Sequence, residues 1–381
     1  MKVLIVNPHM HLYGGADIVI VKLANYLTNN GIQNALLTLS ISDKVKNDLV
    51  GTEIIIPDKQ KDYSKTSSSF IKEFFILKKY INKHSKDFDI INVHAFPAEI
   101  AILSCKKPVV WMCNEPPGLW PEMQTKKLSI LKKFIYKIAL ETEKYTVKTK
   151  VTGVCVADEF NFSRLKRLYK IDGFKNNYGI DYNFFSKGNG EAIKRKYNLE
   201  KNFIIIQVAL IIPFKNQLES IKTIEKLKNK IPNIKLILVG AETKPEYAKE
   251  IKNYIKQNNL GKYVLFTGNV SREEIRNLYK IANVSLMPIK SQGGWLAPFE
   301  ALCSACPVVV SKEITCASII KRENIGTVTN NYSETILDIY KNPTKHKKIS
   351  EHGKNFVKNQ LTWNKFSKRM LKCFEKAIQK E

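Results

Sequence analysis

Residues Leu286–Ser311, LMPIKSQGGWLAPFEALCSACPVVVS, run as a buried strand, a glycine-bearing loop, a helix opening near Pro298 and a second buried strand. This order predicts a parallel sheet with Gln292, Gly293, Gly294 and Glu300 at its carboxyl edge, where the helix N-terminus points. A helix start offers free N–H groups and partial positive charge, which suits a diphosphate. Glu300, read as lying on the first turn, is placed to accept hydrogen bonds from sugar hydroxyls. The stretch therefore reads as a nucleotide-sugar pocket.

Outward from this stretch the same alternation continues. Upstream, NFIIIQVAL (202–210), KLILVG (235–240) and YVLFTG (263–268) read as strands separated by amphipathic helical runs. Ser271 with Glu274 three residues on has capping-box spacing before EEIRNLYKIA. The first half repeats the architecture. KVLIVN (2–7) is followed by a loop and then by a helical run from Asp17 to Leu27. Strands follow near 88–94, 107–113 and 150–156. A polar, glycine-bearing linker is expected near 186–200, and 346–380 is helical in pattern. The expected layout is residues 1–188, residues 189–355, and a C-terminal helix over 356–381 that crosses back to the first domain.

Composition sets the class. A chain of 381 residues exceeds one ordinary core and predicts two domains of roughly 170–200 residues. A hydrophobic content of 44% with 25% charged residues is that of a globular chain. The formal charge of +27 implies a polyanionic or anionic-surface partner, or phosphorylated substrates. Seven Cys without framework spacing point to a reducing, cytoplasmic compartment, and the lone Cys303/Cys306 pair reads as buried small residues rather than zinc ligands. The opening MKVLIVNPHMH is too short in its apolar run for a secretory signal, and no window approaches a membrane span.

Several segments together carry a family resemblance. Gln292 through Glu300 with ALCSACPVVVS, LVG at 238–240, VLFTGNVSREEI at 264–275, ANVSLMP at 282–288 and Gly14-Gly15-Ala16-Asp17 stand in one order. In that order the chain resembles the retaining glycosyltransferases of family 4. The resemblance implies an α/β architecture, the GT-B fold, with two Rossmann-like doubly wound domains facing across a cleft. It also implies an acceptor in the first domain, a UDP- or GDP-linked sugar in the second, and no metal or other cofactor. Lys215 matches the lysine that contacts the diphosphate, and Gly15 the loop glycine beside Gly14 that approaches it. Glu300 matches the ribose-binding carboxylate, and Val270 the position that meets the base through its main chain. Gln292, Gly293, Gly294, Trp295 and Leu296 complete the donor loop. NNYGIDYNFF at 176–185 looks like the segment preceding the interdomain crossing.

This chain departs from the family pattern in several places. The first hallmark Glu is Gln292, the phosphate-binding Arg is Leu210, the acceptor-side histidine aligns with Asn114, and the glycine after the hallmark helix is Ala305. Removing one charge-assisted phosphate contact costs about 1.5–3 kcal/mol unless another cation substitutes. On the acceptor side, His94 ends a strand at the carboxyl edge, His9 and His11 form an H-x-H in the first loop, and Glu115 follows Asn114 in a turn. Trp295 reads equally as a pocket wall or a core aromatic.

The segment 126–150 sets Leu128, Leu131, Ile135 and Ile138 among many lysines. That pattern fits either a helix lying on an anionic membrane or one burying its apolar stripe against the sheet. The expected activity is hexose transfer to a glycan, glycoside or lipid-linked acceptor. The open alternatives are an epimerase or hydrolase on the same scaffold, and an inert partner or glycan-binding member. Charge alone, without a reading module, gives no specific nucleic-acid partner.

Overall fold

A computed structural model describes residues 1–11, 15–57, 69–114, 116, 129–290 and 293–380. The chain divides into two compact units, Met1–Gly179 with Trp363–Glu381, and Ile180–Thr362. Each is a parallel sheet between helices.

In the first unit the strands are β1 (Lys2–Val6), β2 (His9–Met10), β3 (Gln33–Leu37), β4 (Ser40–Ile41), β5 (Glu53–Ile55), β6 (Ile90–Val93), β7 (Val109–Cys113), β8 (Gly153–Val156) and β9 (Phe174–Lys175). Seven of them form a sheet in the order β5-β3-β1-β6-β7-β8-β9, and β2 pairs with β4. Strands buried on both faces read as continuous apolar runs, which is why KVLIV and VVWMC carry no polar alternation. Val3 and Ile5 enter the core shared with the helices Gly15–Asn29 and Trp363–Ile378. Leu4 and Val6 enter the core on the other face.

The second unit has β10 (Phe203–Val208), β11 (Ile234–Val239), β12 (Val264–Gly268), β13 (Val284–Met287), β14 (Val308–Val310) and β15 (Thr327–Val328), in the order β12-β11-β10-β13-β14-β15. Chain order reverses between β1 and β6 in the first sheet and between β10 and β13 in the second. Loops leaving the carboxyl ends of such neighbours diverge and open a crevice.

Three boundaries differ from the sequence-based expectation. The first unit ends at Gly179, not 188, because 180–188 packs on second-unit helices. Asp181 pairs with Arg272 at 2.9 Å, and Phe185 O accepts from Ser304 Oγ at 3.0 Å. The expected linker near 186–200 holds a helix, Glu191–Tyr197. The C-terminal region is two helices, Pro343–Gln360 and Trp363–Ile378, and only the second joins the first unit. A Cβ on Gly179 would come within 2.4 Å of Trp363 N, and Ile180 N donates to Leu361 O at 2.8 Å. The two chain crossings therefore run side by side, and only glycine fits at 179.

Candidate functional site

The crevice between β10 and β13 collects the second-unit candidates. After β10 the chain turns through Pro213–Lys215 into Asn216, whose φ of 58° is left-handed, a conformation asparagine tolerates. Asn216 is buried and its side-chain amide donates to Pro288 O at 2.9 Å, while Lys290 N donates to Phe214 O at 3.0 Å. These two bonds lock the loop after β10 to the loop after β13. Gln207, also buried, donates to Lys215 O at 2.7 Å and accepts from Ser220 Oγ at 2.7 Å. Neither Gln207 nor Asn216 stands out in the sequence, because an amide that braces a loop has no period or motif.

Gly293 and Gly294 have φ of 89° and 75°, which side-chain-bearing residues rarely adopt. A Cβ on Gly294 would lie 3.6 Å from Lys215 Nζ and 2.3 Å from Ile289 Cδ1. The lysine ammonium therefore sits directly on the glycine loop, at the foot of the helix Leu296–Cys303. Its position over the Phe214 ring, 5.0 Å from the centroid, steadies it there. A cation, a left-handed glycine pair and a helix start converge on one point, a cradle for an anion of diphosphate size.

The helix opens at Leu296 rather than near Pro298, so Glu300 lies in the second turn, not the first. Pro298 falls within the first turn, where a missing N–H costs nothing. Glu300 keeps part of its surface open, yet dense surroundings push its carboxyl up to about 7. Burial is the main cause; the Arg272 guanidinium pulls the value down and Asp181 pushes it up. Arg272, the first residue of the helix Arg272–Ile281, is thus a cation on Glu300's side of the unit. No motif in the sequence marks it. Trp295 is buried with its ring 4.5 Å from Phe299, a core position. Leu296 starts the helix, and Val270 is half-buried in the short loop between β12 and Ser271. Leu210 is exposed on the loop after β10. Gln292 lies outside the described residues.

In the first unit His9 and His11 follow β1 and His94 follows β6, the strands of the other switch point, while Asn114 follows β7. His94 is buried, with a ring nitrogen 2.8 Å from Asn92 Oδ1, and burial lowers its pKa to about 3. It is a neutral imidazole at working pH. His9 and His11 share Ser40 Oγ at 2.8 and 2.5 Å, and His9 lies 3.3 Å from the buried Glu73 carboxylate. The H-x-H is thus bound to the β2–β4 corner. No group of three metal-ligating side chains occurs among the described residues. Asn114 accepts from the Tyr178 hydroxyl. Gly15 is exposed at the start of the helix Gly15–Asn29, while Gly14 and Glu115 lie outside the described residues. Cys303 and Cys306 are buried, free thiols.

Residues 189–356 match the family described as Glycosyl transferases group 1. An α-1,3-galactosyltransferase of Escherichia coli, named as acting with UDP-Gal on α-D-GlcNAc-diphosphoundecaprenol, is 29% identical over 53% of this chain and 52% of its own. A GDP-mannose-dependent α-(1-6)-phosphatidylinositol monomannoside mannosyltransferase of Mycolicibacterium smegmatis is 19% identical over 45% of this chain and 47% of its own. The chain spans about half the length of these curated relatives. Among solved structures, HepE of Anabaena in complex with UDP and glucose superposes with a TM-score of 0.77 at 15% identity, covering 98% of each chain. The chain therefore has the two-unit GT-B fold, and the portion of it that carries Lys215, Gly294 and Glu300 is similar to the glycosyl transferases of group 1.

Proposed function

We propose that the protein is a retaining, metal-independent glycosyltransferase of family 4, moving a hexose from a nucleotide diphosphate sugar to a hydroxyl of a glycan, glycoside or lipid-linked saccharide. The observation that carries this reading is the seating of Lys215 Nζ against the Gly294 turn at the β10/β13 switch point. It lies inside the segment that matches the group 1 family. The bound UDP and glucose of the Anabaena protein support a nucleotide-sugar donor. The diphosphoundecaprenol and phosphatidylinositol acceptors named for the two relatives support a lipid-linked one.

In this reading the acceptor hydroxyl attacks the anomeric carbon on the face from which the diphosphate departs. The bond from sugar to phosphate breaks, and the acceptor proton passes to the leaving phosphate oxygen. Lys215, the N–H groups of the glycine turn and the helix start meet the charge that develops there. Glu300 holds the ribose hydroxyls, the Val270 main chain meets the base, and Gln292 bonds the sugar. Gly14 and Gly15 approach the diphosphate, while His9, His11, His94, Asn114 and Glu115 belong to the acceptor side, where His94 serves as an uncharged hydrogen-bonding group.

The test is calorimetric titration with UDP and GDP, followed by mass spectrometry of products formed from each nucleotide sugar and a lipid-linked acceptor. Binding of neither nucleotide would remove the reading. Nucleotide binding without any transfer favours the second reading, a donor-binding but inert member. Leu210, an exposed apolar side chain where the family carries an arginine, motivates that alternative.

A further inference from the structure

The helix Ile130–Lys150 is built inside out. Tyr136, Ala139, Glu143, Thr146 and Val147 form its buried face, largely small or polar. Its large apolar residues point the other way: Ile130 is 86% exposed, Leu131 68%, Phe134 60% and Ile138 52%. At 3.6 residues per turn these four fall on one stripe opposite the buried face. Lys133 and Lys137, both exposed, run along one border of the stripe, with exposed Lys148 further down the helix. The adjoining helix Ser69–His84, joined through the Phe70–Tyr136 ring contact, also exposes Phe75 and Ile71 beside Lys79.

A row of exposed side chains of this size is a large apolar surface for a water-facing helix, and its exposed charged neighbours are lysines apart from Glu141, which Lys144 neutralises at 2.7 Å. We propose that this face of the first unit docks on an anionic lipid bilayer, with Leu131, Phe134 and Ile138 entering the headgroup–acyl boundary and Lys133 and Lys137 pairing with headgroup phosphates. Charge decides the occupant. A second copy of a chain carrying +27 would bring the same lysines against each other. A nucleic acid would use the lysines and leave the apolar stripe in water. An anionic bilayer answers both features at once. The inference assumes nothing about the reaction, so it stands or falls apart from the glycosyltransferase reading.

The experiment is co-sedimentation with vesicles of phosphatidylcholine alone and of phosphatidylcholine with phosphatidylglycerol, three parts to one. The wild type is expected to pellet with the anionic vesicles only. The triple variant L131S/F134S/I138S should lose about tenfold or more in partitioning, and K133Q/K137Q should lose several-fold. All substituted side chains are exposed, so unchanged melting curves verify the fold. In a separate variant, Phe134→Trp, lipids brominated on the acyl chain should quench the indole. Three results would overturn the proposal: pelleting of the triple variant as efficient as the wild type's, wild-type pelleting indifferent to phosphatidylglycerol, or absence of quenching. A wild-type dimer that dissociates in the triple variant without vesicles would assign the face to self-association instead.

Discussion

The loop that presents Lys215 is braced by two uncharged amides. Asn216 and Gln207 brace the loop, and Gly294 leaves room for the ammonium. If that ammonium meets a diphosphate, Lys215→Ala removes a charge-assisted contact of about 1.5–3 kcal/mol. Calorimetry should then show nucleotide affinity falling by about tenfold or more, and unchanged affinity would discard the pocket. Gly294→Ala places a side chain at φ 75° and pushes a methyl toward Ile289 and Lys215. It should cost about 1–2 kcal/mol from the left-handed backbone alone. Both the melting temperature and nucleotide affinity should drop.

Glu300 adds a pH dependence whose sign follows from its raised value. The folded state keeps the proton up to about 7, whereas the ordinary carboxyl releases it near 4.5. Ionising this densely surrounded group therefore costs stability as pH rises between those values, and the loss is complete above about 7. Wild-type melting temperature should fall relative to Glu300→Gln across that window. Nucleotide affinity should rise over the same window if the ionised carboxylate receives ribose hydroxyls. A Gln variant with the wild-type pH profile would show that another group titrates.

At the scale of elements, local chemistry settles some starts and leaves others to tertiary contacts. Ser271 Oγ accepts from Glu274 N at 3.2 Å, the cap that the S-x-x-E spacing announces. The reciprocal arm does not form: the Glu274 carboxylate goes to Lys196, 2.7 Å away, and to the Tyr197 hydroxyl. Ser271→Ala should cost about 1 kcal/mol, read as a loss of protection in hydrogen exchange over 272–281. A helix that keeps its protection would mean that packing rather than the cap sets its start. The helix at 296 has no such cap, and Trp295 before it is in the helical region. Its start comes instead from the glycine pair that turns the chain into it, so it begins two residues before Pro298.

For the whole molecule, the final helix is what returns the chain to its first unit. Phe366, Met370, Phe374 and Ala377 enter the core with Val3, Ile5, Val19 and Ile20. Arg369 reinforces the seat by donating to Asn176 Oδ1 at 2.7 Å and Asn177 O at 2.9 Å. Phe374→Ala should cost about 3–5 kcal/mol. Exchange protection should fall in 1–179 while nucleotide affinity, if it resides in 180–362 as proposed, stays as in the wild type. Equal loss in both units would mean that the units unfold as one.

The apolar runs by themselves determined the central strands of both parallel sheets, because a strand buried on both faces must be written almost wholly in Val, Ile and Leu, whereas the short edge strands β5, β9 and β15 carry no such run. The glycine pair at 293–294 and, through the family resemblance, Lys215 likewise marked the crevice between β10 and β13. Only the tertiary structure decided the rest. The chain leaves the first unit at Gly179 because Asp181 and Phe185 find partners far away in sequence, and no local pattern encodes such partners. The apolar stripe of 130–150 has the same spacing whether it faces a sheet or solvent. Its orientation was set by what the opposite face, with Tyr136 and Glu143, had to pack against.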